Sequence, residues 1–98
     1  MHETKPFYSE TDDPRFRDIL RRYKVREISV FGSFALGKAT EDSDVDFLVQ
    51  FEKDADLLDQ VGLKLDLEEL LGRKVDIVTP NSLSKYIRDA VLEQAVPI

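Results

Sequence analysis

Residues 28–50 of the chain read ISVFGSFALGKATEDSDVDFLVQ, and the rest of the chain is best understood from them outward. The apolar run Ile28 to Phe31 has the length and composition of a short buried strand. Gly32 and Ser33 follow at once, and Phe34, Ala35 and Leu36 allow a turn of helix before Gly37. A polar loop from Lys38 to Ser43 then enters a second strand carrying Asp44 and Asp46. Strand residues two apart share a face, so these carboxylates stand side by side while Val45, Phe47 and Val49 face a core. Acidic groups on an otherwise apolar strand cost free energy unless a cation or solvent satisfies them. The pattern asks for a cation.

On either side, the elements can be placed from caps and periodicity. Asp12-Asp13-Pro14 is a helix start, and Phe16, Ile19, Leu20 and Tyr23 make an apolar stripe on a helix over residues 14–23. Its Arg15, Arg17, Arg21 and Arg22 form a basic face, most simply a solvated one. Residues 27–31 and 44–51 are the first two strands. A helix between Asp54 and Leu71 follows, with Leu57, Leu58, Val61 and Leu65 predicted inward, and Leu67, Leu70 and Leu71 as further candidates. Gly62 interrupts that pattern, and Gly72 ends it. Residues 74–79 form a third strand ended by Pro80. A last helix capped by Asn81 or Ser82 runs to Gln94, with Leu83, Ile87, Ala90 and Val91 predicted inward.

The 98 residues suit one compact domain, and a hydrophobic content of 42% supports a core. Residues 12–98 are assigned to that domain, and residues 1–11 to an N-terminal arm. The absence of cysteine removes disulfides, thiolate zinc sites and cysteine nucleophiles. No run is long enough to span a membrane and no signal peptide is visible, so a cytoplasmic location is expected. The net charge of −6 weighs against broad contact with nucleic-acid phosphates. His2, the only histidine, lies in the arm, so a Ser-His-Asp triad has no support.

Gly32-Ser33, a short spacer, then Ser43-Asp44-Val45-Asp46 at the head of an apolar strand resembles the signature of the nucleotidyltransferase superfamily related to DNA polymerase beta. The small size and the ending Glu93-Gln94-Ala95-Val96-Pro97-Ile98 resemble its minimal branch, often the antitoxin partner of a HEPN-domain toxin. The resemblance covers roughly Tyr23 to Ile98. It implies an α/β minimal nucleotidyltransferase fold: a small, mixed, twisted sheet with helices mainly on one face. It also implies transfer of AMP from ATP to a hydroxyl, that of a tyrosine, on a HEPN-type toxin.

Residue chemistry agrees with that implication. Mg²⁺ prefers hard oxygen ligands and binds through one or two carboxylates plus substrate phosphates, which Asp44 and Asp46 suit. Two-metal transfer wants a third carboxylate. Asp76, set in the apolar strand Val75-Asp76-Ile77-Val78, is the candidate if strand three lies beside strand two. A plain edge-strand charge is the competing reading. With nucleotide bound, two Mg²⁺ ions are expected. Gly32 and Ser33 are assigned to the triphosphate, since glycine admits a phosphate close to the backbone and serine adds a donor. Ser43 either joins that nucleotide site or orients Asp44.

One departure stands out: Leu36 occupies a position where the family commonly has arginine, which removes a possible guanidinium anchor. That leaves open a non-catalytic antitoxin that neutralises its partner by covering it. Transfer to a small molecule is a third possibility, opposed by the lack of a second domain to hold the acceptor.

Overall fold

The computed structural model describes residues 13–32, 37, 38, 40 and 43–98. Helix α1 (Pro14–Arg22) leads to strand β1 (Val25–Phe31), then β2 (Val45–Phe51), helix α2 (Leu57–Leu71), β3 (Val75–Val78), a 3-10 turn (Pro80–Ser82), helix α3 (Lys85–Gln94) and a short β4 (Val96–Pro97). The sheet order is β3-β2-β1-β4. β1 is antiparallel to β2 and β4, and β2 is parallel to β3, so the sheet is mixed.

Local chemistry explains most of these boundaries. Asp13 caps α1, its carboxylate accepting the Arg15 backbone N–H at 2.9 Å, with Pro14 at the first helical position. α2 opens with a reciprocal capping box between Asp56 and Asp59 and closes on Gly72 at φ +70°. Ser84, three residues later than Asn81, caps α3, because the chain first makes the 3-10 turn.

One face of the sheet is packed. Ile28 and Val30 of β1 and Val45, Phe47 and Val49 of β2 meet Phe16, Ile19 and Leu20 of α1 and Leu63, Leu67 and Leu71 of α2. The alternation in β2 is thus the predicted one, with Val45, Phe47 and Val49 buried. Phe16 and Phe47 stack at a tilt, ring centroids 6.3 Å apart. Leu48 is buried as well but points away from that cluster, on the side where the 3-10 turn packs against β2.

Two sequence expectations are corrected. α2 turns Leu63, Leu67 and Leu71 inward, while Leu57, Leu58, Val61 and Leu65 are exposed. α3 buries no residue, and Ile87, predicted inward, is exposed. The C-terminal segment, by contrast, closes the β1 edge: Val96 and Ile98 pack against the core, and the Ile98 N–H bonds the Ile28 carbonyl at 3.2 Å.

Gly62 does not break α2; it makes room. A methyl group there would overlap the Tyr23 ring, which crosses the helix at that point. The Tyr23 hydroxyl donates to Asp66 at 2.8 Å, and Arg22 reaches the same oxygen at 3.0 Å. Gly62→Ala gains about 1 kcal/mol of helix propensity but forces an overlap worth roughly 1–3 kcal/mol, with loss of the Tyr23–Asp66 bond besides. A lower melting temperature is therefore expected in thermal unfolding. A higher one would show that the ring moves aside at no cost.

Candidate active site

β2 and β3 enter the sheet side by side, and that places the acids. Val45 pairs with Val75 and Asp46 with Asp76, while Phe31 sits opposite Asp46 on the other side. Paired residues of neighbouring strands share a face, so Asp46 and Asp76 stand together on the side away from the core. Asp76 is no isolated edge charge. It meets Asp46, as strand parity required.

Asp46 is the inner member, half-buried, while Asp44 and Asp76 are exposed. Burial is the main force pushing the Asp46 carboxyl above the ordinary range. The charge of Asp76 and its hydrogen bond to Asp46 come next, and the charge of Asp44 last. The sign follows directly. A carboxyl raised in the folded state favours folding below its ordinary value, and that contribution is lost as pH rises through the raised one. Once ionised, the Asp46 carboxylate opposes folding through its burial first and its acidic neighbours second.

Gly32 accounts for how Asp46 fits. It lies directly after β1 at φ +73°, and a Cβ there would stand 2.5 Å from Asp46 Oδ2. The glycine gives way to the carboxylate. Ser33 and Leu36 lie outside the described residues.

Ser43 acts locally. Its Oγ accepts the Thr40 N–H at 2.8 Å, and its own N–H bonds the Thr40 carbonyl at 3.1 Å. These bonds favour the orienting role over a nucleotide contact, since they fix the backbone one residue before Asp44.

Two positioning residues escaped the sequence reading. Arg73 Nη1 donates to the carbonyls of Thr40 and Ser43, at 3.1 and 3.2 Å. Glu68 accepts the Val75 N–H at 3.0 Å, beside Asp76, and that bond is the leading cause of its lowered pKa. The Arg73 contacts exist because β3 starts alongside the segment entering β2, a long-range fact with no local signature, whereas the Glu68 bond spans only the connection from α2 to β3. Arg73→Ala is expected to slow transfer roughly 10–100-fold through misplacement of Asp44, with little change in melting temperature. Arg73→Lys should not restore the rate fully, because both bonds come from Nη1, which the planar guanidinium holds in place and a flexible ammonium stem does not. Full restoration by lysine would reduce Arg73 to a surface charge.

The three carboxylates are also the candidate donor set for a metal ion. Its oxygens are hard, and Asp46 is raised first by burial and then by its two acidic neighbours, which suits a hard divalent cation. Among the described residues, however, no group of three or more His, Cys, Asp or Glu side chains is arranged to hold a metal ion. The arrangement fits an ion that shares its coordination with substrate phosphates better than a protein-only cage.

A mixed sheet with paired carboxylates across parallel strands, next to a positive-φ glycine that ends the preceding strand, agrees with the nucleotidyltransferase resemblance seen in the sequence. The nucleotidyltransferase domain family matches residues 14–98, and the chain belongs to it. A protein adenylyltransferase MntA of Thermococcus cleftensis is 48% identical over 80 residues, covering 82% of this chain and 81% of that protein. A solved structure assigned as a minimal nucleotidyltransferase superposes with a TM-score of 0.82 at 39% identity, covering 100% of both chains. A solved toxin–antitoxin structure with AMP-PNP aligns with a TM-score of 0.70 at 27% identity, covering 86% of this chain and 69% of that one. Among the described residues no helix is long and apolar enough to cross a membrane.

Proposed function

We propose that this chain is a Mg²⁺-dependent adenylyltransferase that moves AMP from ATP to a hydroxyl, that of a tyrosine, on a HEPN-type toxin, and so serves as its antitoxin. The observation that carries the reading is the pairing of Asp46 with Asp76 beside Gly32. The adenylyltransferase relative and the AMP-PNP complex of a toxin–antitoxin relative support the choice of nucleotide and acceptor class.

Asp44, Asp46 and Asp76 would each offer carboxylate oxygens to the magnesium, but as they stand the three do not form a metal site by themselves, so nucleotide phosphates would have to supply much of its coordination. Bound Mg²⁺ neutralises charge that builds on the phosphoryl oxygens and the leaving pyrophosphate. Asp46 is the anchor, enclosed and held by its neighbours. Asp76 lies on the exposed rim, where an incoming hydroxyl reaches it, and accepts the proton as oxygen attacks the α-phosphorus. Gly32 and Ser33 border the triphosphate. Two ions with nucleotide bound belong to the same reading.

The test uses purified chain, the HEPN-type toxin and ATP labelled at the α-phosphate. Label should appear on the toxin and vanish with Asp44→Asn. Neutralisation that survives in that variant, with no label, would instead establish the covering antitoxin.

A further inference from the structure

α2 carries a second apolar ladder, turned away from the core. Leu57, Leu58, Val61 and Leu65 are 72, 78, 47 and 56% exposed. At about 100° per residue they fall on one stripe, opposite Leu63, Leu67 and Leu71. Exposed leucines scattered singly are ordinary, but a contiguous row of them marks an interaction surface.

Charge selects the occupant. Glu52, Asp54 and Asp56 lie exposed at the N-terminal end of the stripe, with Lys53 among them and Lys24 paired to Asp54 at 3.4 Å, and Glu69 lies exposed one turn beyond Leu65. Within α2 itself, the acids Asp59, Asp66, Glu68 and Glu69 outnumber the single base Lys64, and of them Asp66 is paired with Arg22 of α1 and Glu68 with Lys64. A second copy laid along the stripe, in either direction, would set acid against acid, between chains that each carry a net charge of −6. The surface fits a helix whose own apolar stripe is bordered by lysine or arginine.

We propose that the outer face of α2 is the docking surface for a basic amphipathic helix of the toxin, an inference that rests on the antitoxin reading above. The topology gives this a consequence. β2 runs away from Asp46 to Phe51, and α2 begins at that far end. Docking at Leu57 and Leu58 is therefore separated from the chemistry by much of a helix that rises about 1.5 Å per residue. The docking helix and the acceptor hydroxyl are then different parts of the toxin.

The experiment compares wild type, Leu58→Gln/Leu65→Gln and Asp54→Lys/Glu69→Lys, all as full chains. Melting temperature and titration with Mg²⁺ and AMP-PNP serve as controls that should not move. Affinity for the purified HEPN-type toxin is expected to fall at least 10-fold in both variants, with KM for toxin raised and kcat kept. The loss from the charge-reversed variant should shrink in high salt. Unchanged affinity in both variants overturns the proposal. So does a wild-type dimer that the leucine variant dissolves, since the face would then belong to a second copy. Weakened binding with no label transferred by wild type would uphold the docking surface while removing the adenylyltransferase reading. Failure of wild type to bind the toxin, with nucleotide binding intact, would overturn the docking surface.

Discussion

Asp46→Asn is expected to lower AMP transfer by roughly 10³-fold, the several kcal/mol that a catalytic cation supplies, while raising the stability of the metal-free protein. The two effects share one cause. Asp46 is half-buried against Asp76, with Asp44 adding its charge, and its carboxyl is pushed up first by burial and then by those neighbours. An amide keeps the shape and removes the repulsion. The gain should appear as a melting temperature higher by about 2–5 °C at neutral pH, and it should shrink as the buffer is acidified and wild-type Asp46 takes up its proton. Calorimetric unfolding in chelator, run beside the transfer assay, reads both quantities. A variant that is both inactive and less stable would mean that Asp46 holds the fold through contacts other than those of a strained acid.

Gly32→Ala is the second large effect. The new methyl would stand 2.5 Å from Asp46 Oδ2, at a backbone φ of +73° that alanine adopts only with strain. The left-handed conformation costs about 1–2 kcal/mol, and the carboxylate must also move. Displacing a reacting group by about 1 Å costs on the order of 10²-fold in rate. Transfer should therefore fall at least that far, and the melting temperature should drop rather than rise. Asp46→Asn and Gly32→Ala thus move stability in opposite directions while both reduce activity, which separates electrostatic strain from steric strain. Wild-type turnover in Gly32→Ala would show that Asp46 does not act from the position it occupies here.

The parts of this site that could be read from sequence are those with a short period. Val45, Phe47 and Val49 alternate with Asp44 and Asp46, and that alternation fixes which face each residue takes. Asp76 interrupts an apolar strand, and its place beside Asp46 followed once β3 was put next to β2. α2 was different. Leu57, Val61 and Leu65 are spaced i, i+4, and so are Leu63, Leu67 and Leu71, so periodicity offered two faces and could not choose. Packing against α1 and the sheet chose the second, with Gly62 admitting Tyr23 along the α1 side. α3 shows an apolar pattern yet buries none of its side chains, because the pattern records what a helix could cover and not what lies beneath it. Gly32 was read as a phosphate cradle, and the structure adds a second demand on it, since a Cβ there would meet the Asp46 carboxylate. Arg73 bonds to carbonyls 33 and 30 residues away in sequence, which no local motif announces, while Glu68 reaches Val75 across the short connection from α2 to β3.

The proposed chemistry requires a divalent cation to be taken up at Asp44, Asp46 and Asp76 together with nucleotide. The direct measurement is calorimetric titration of Mg²⁺ into wild type and Asp46→Asn, each with and without AMP-PNP, at neutral and at mildly acidic pH. Wild type should bind the ion with nucleotide present, more weakly as pH falls through the raised Asp46 value, and Asp46→Asn should lose at least 10-fold in affinity. Equal uptake by both proteins, unmoved by pH, would place the metal elsewhere and contradict the account.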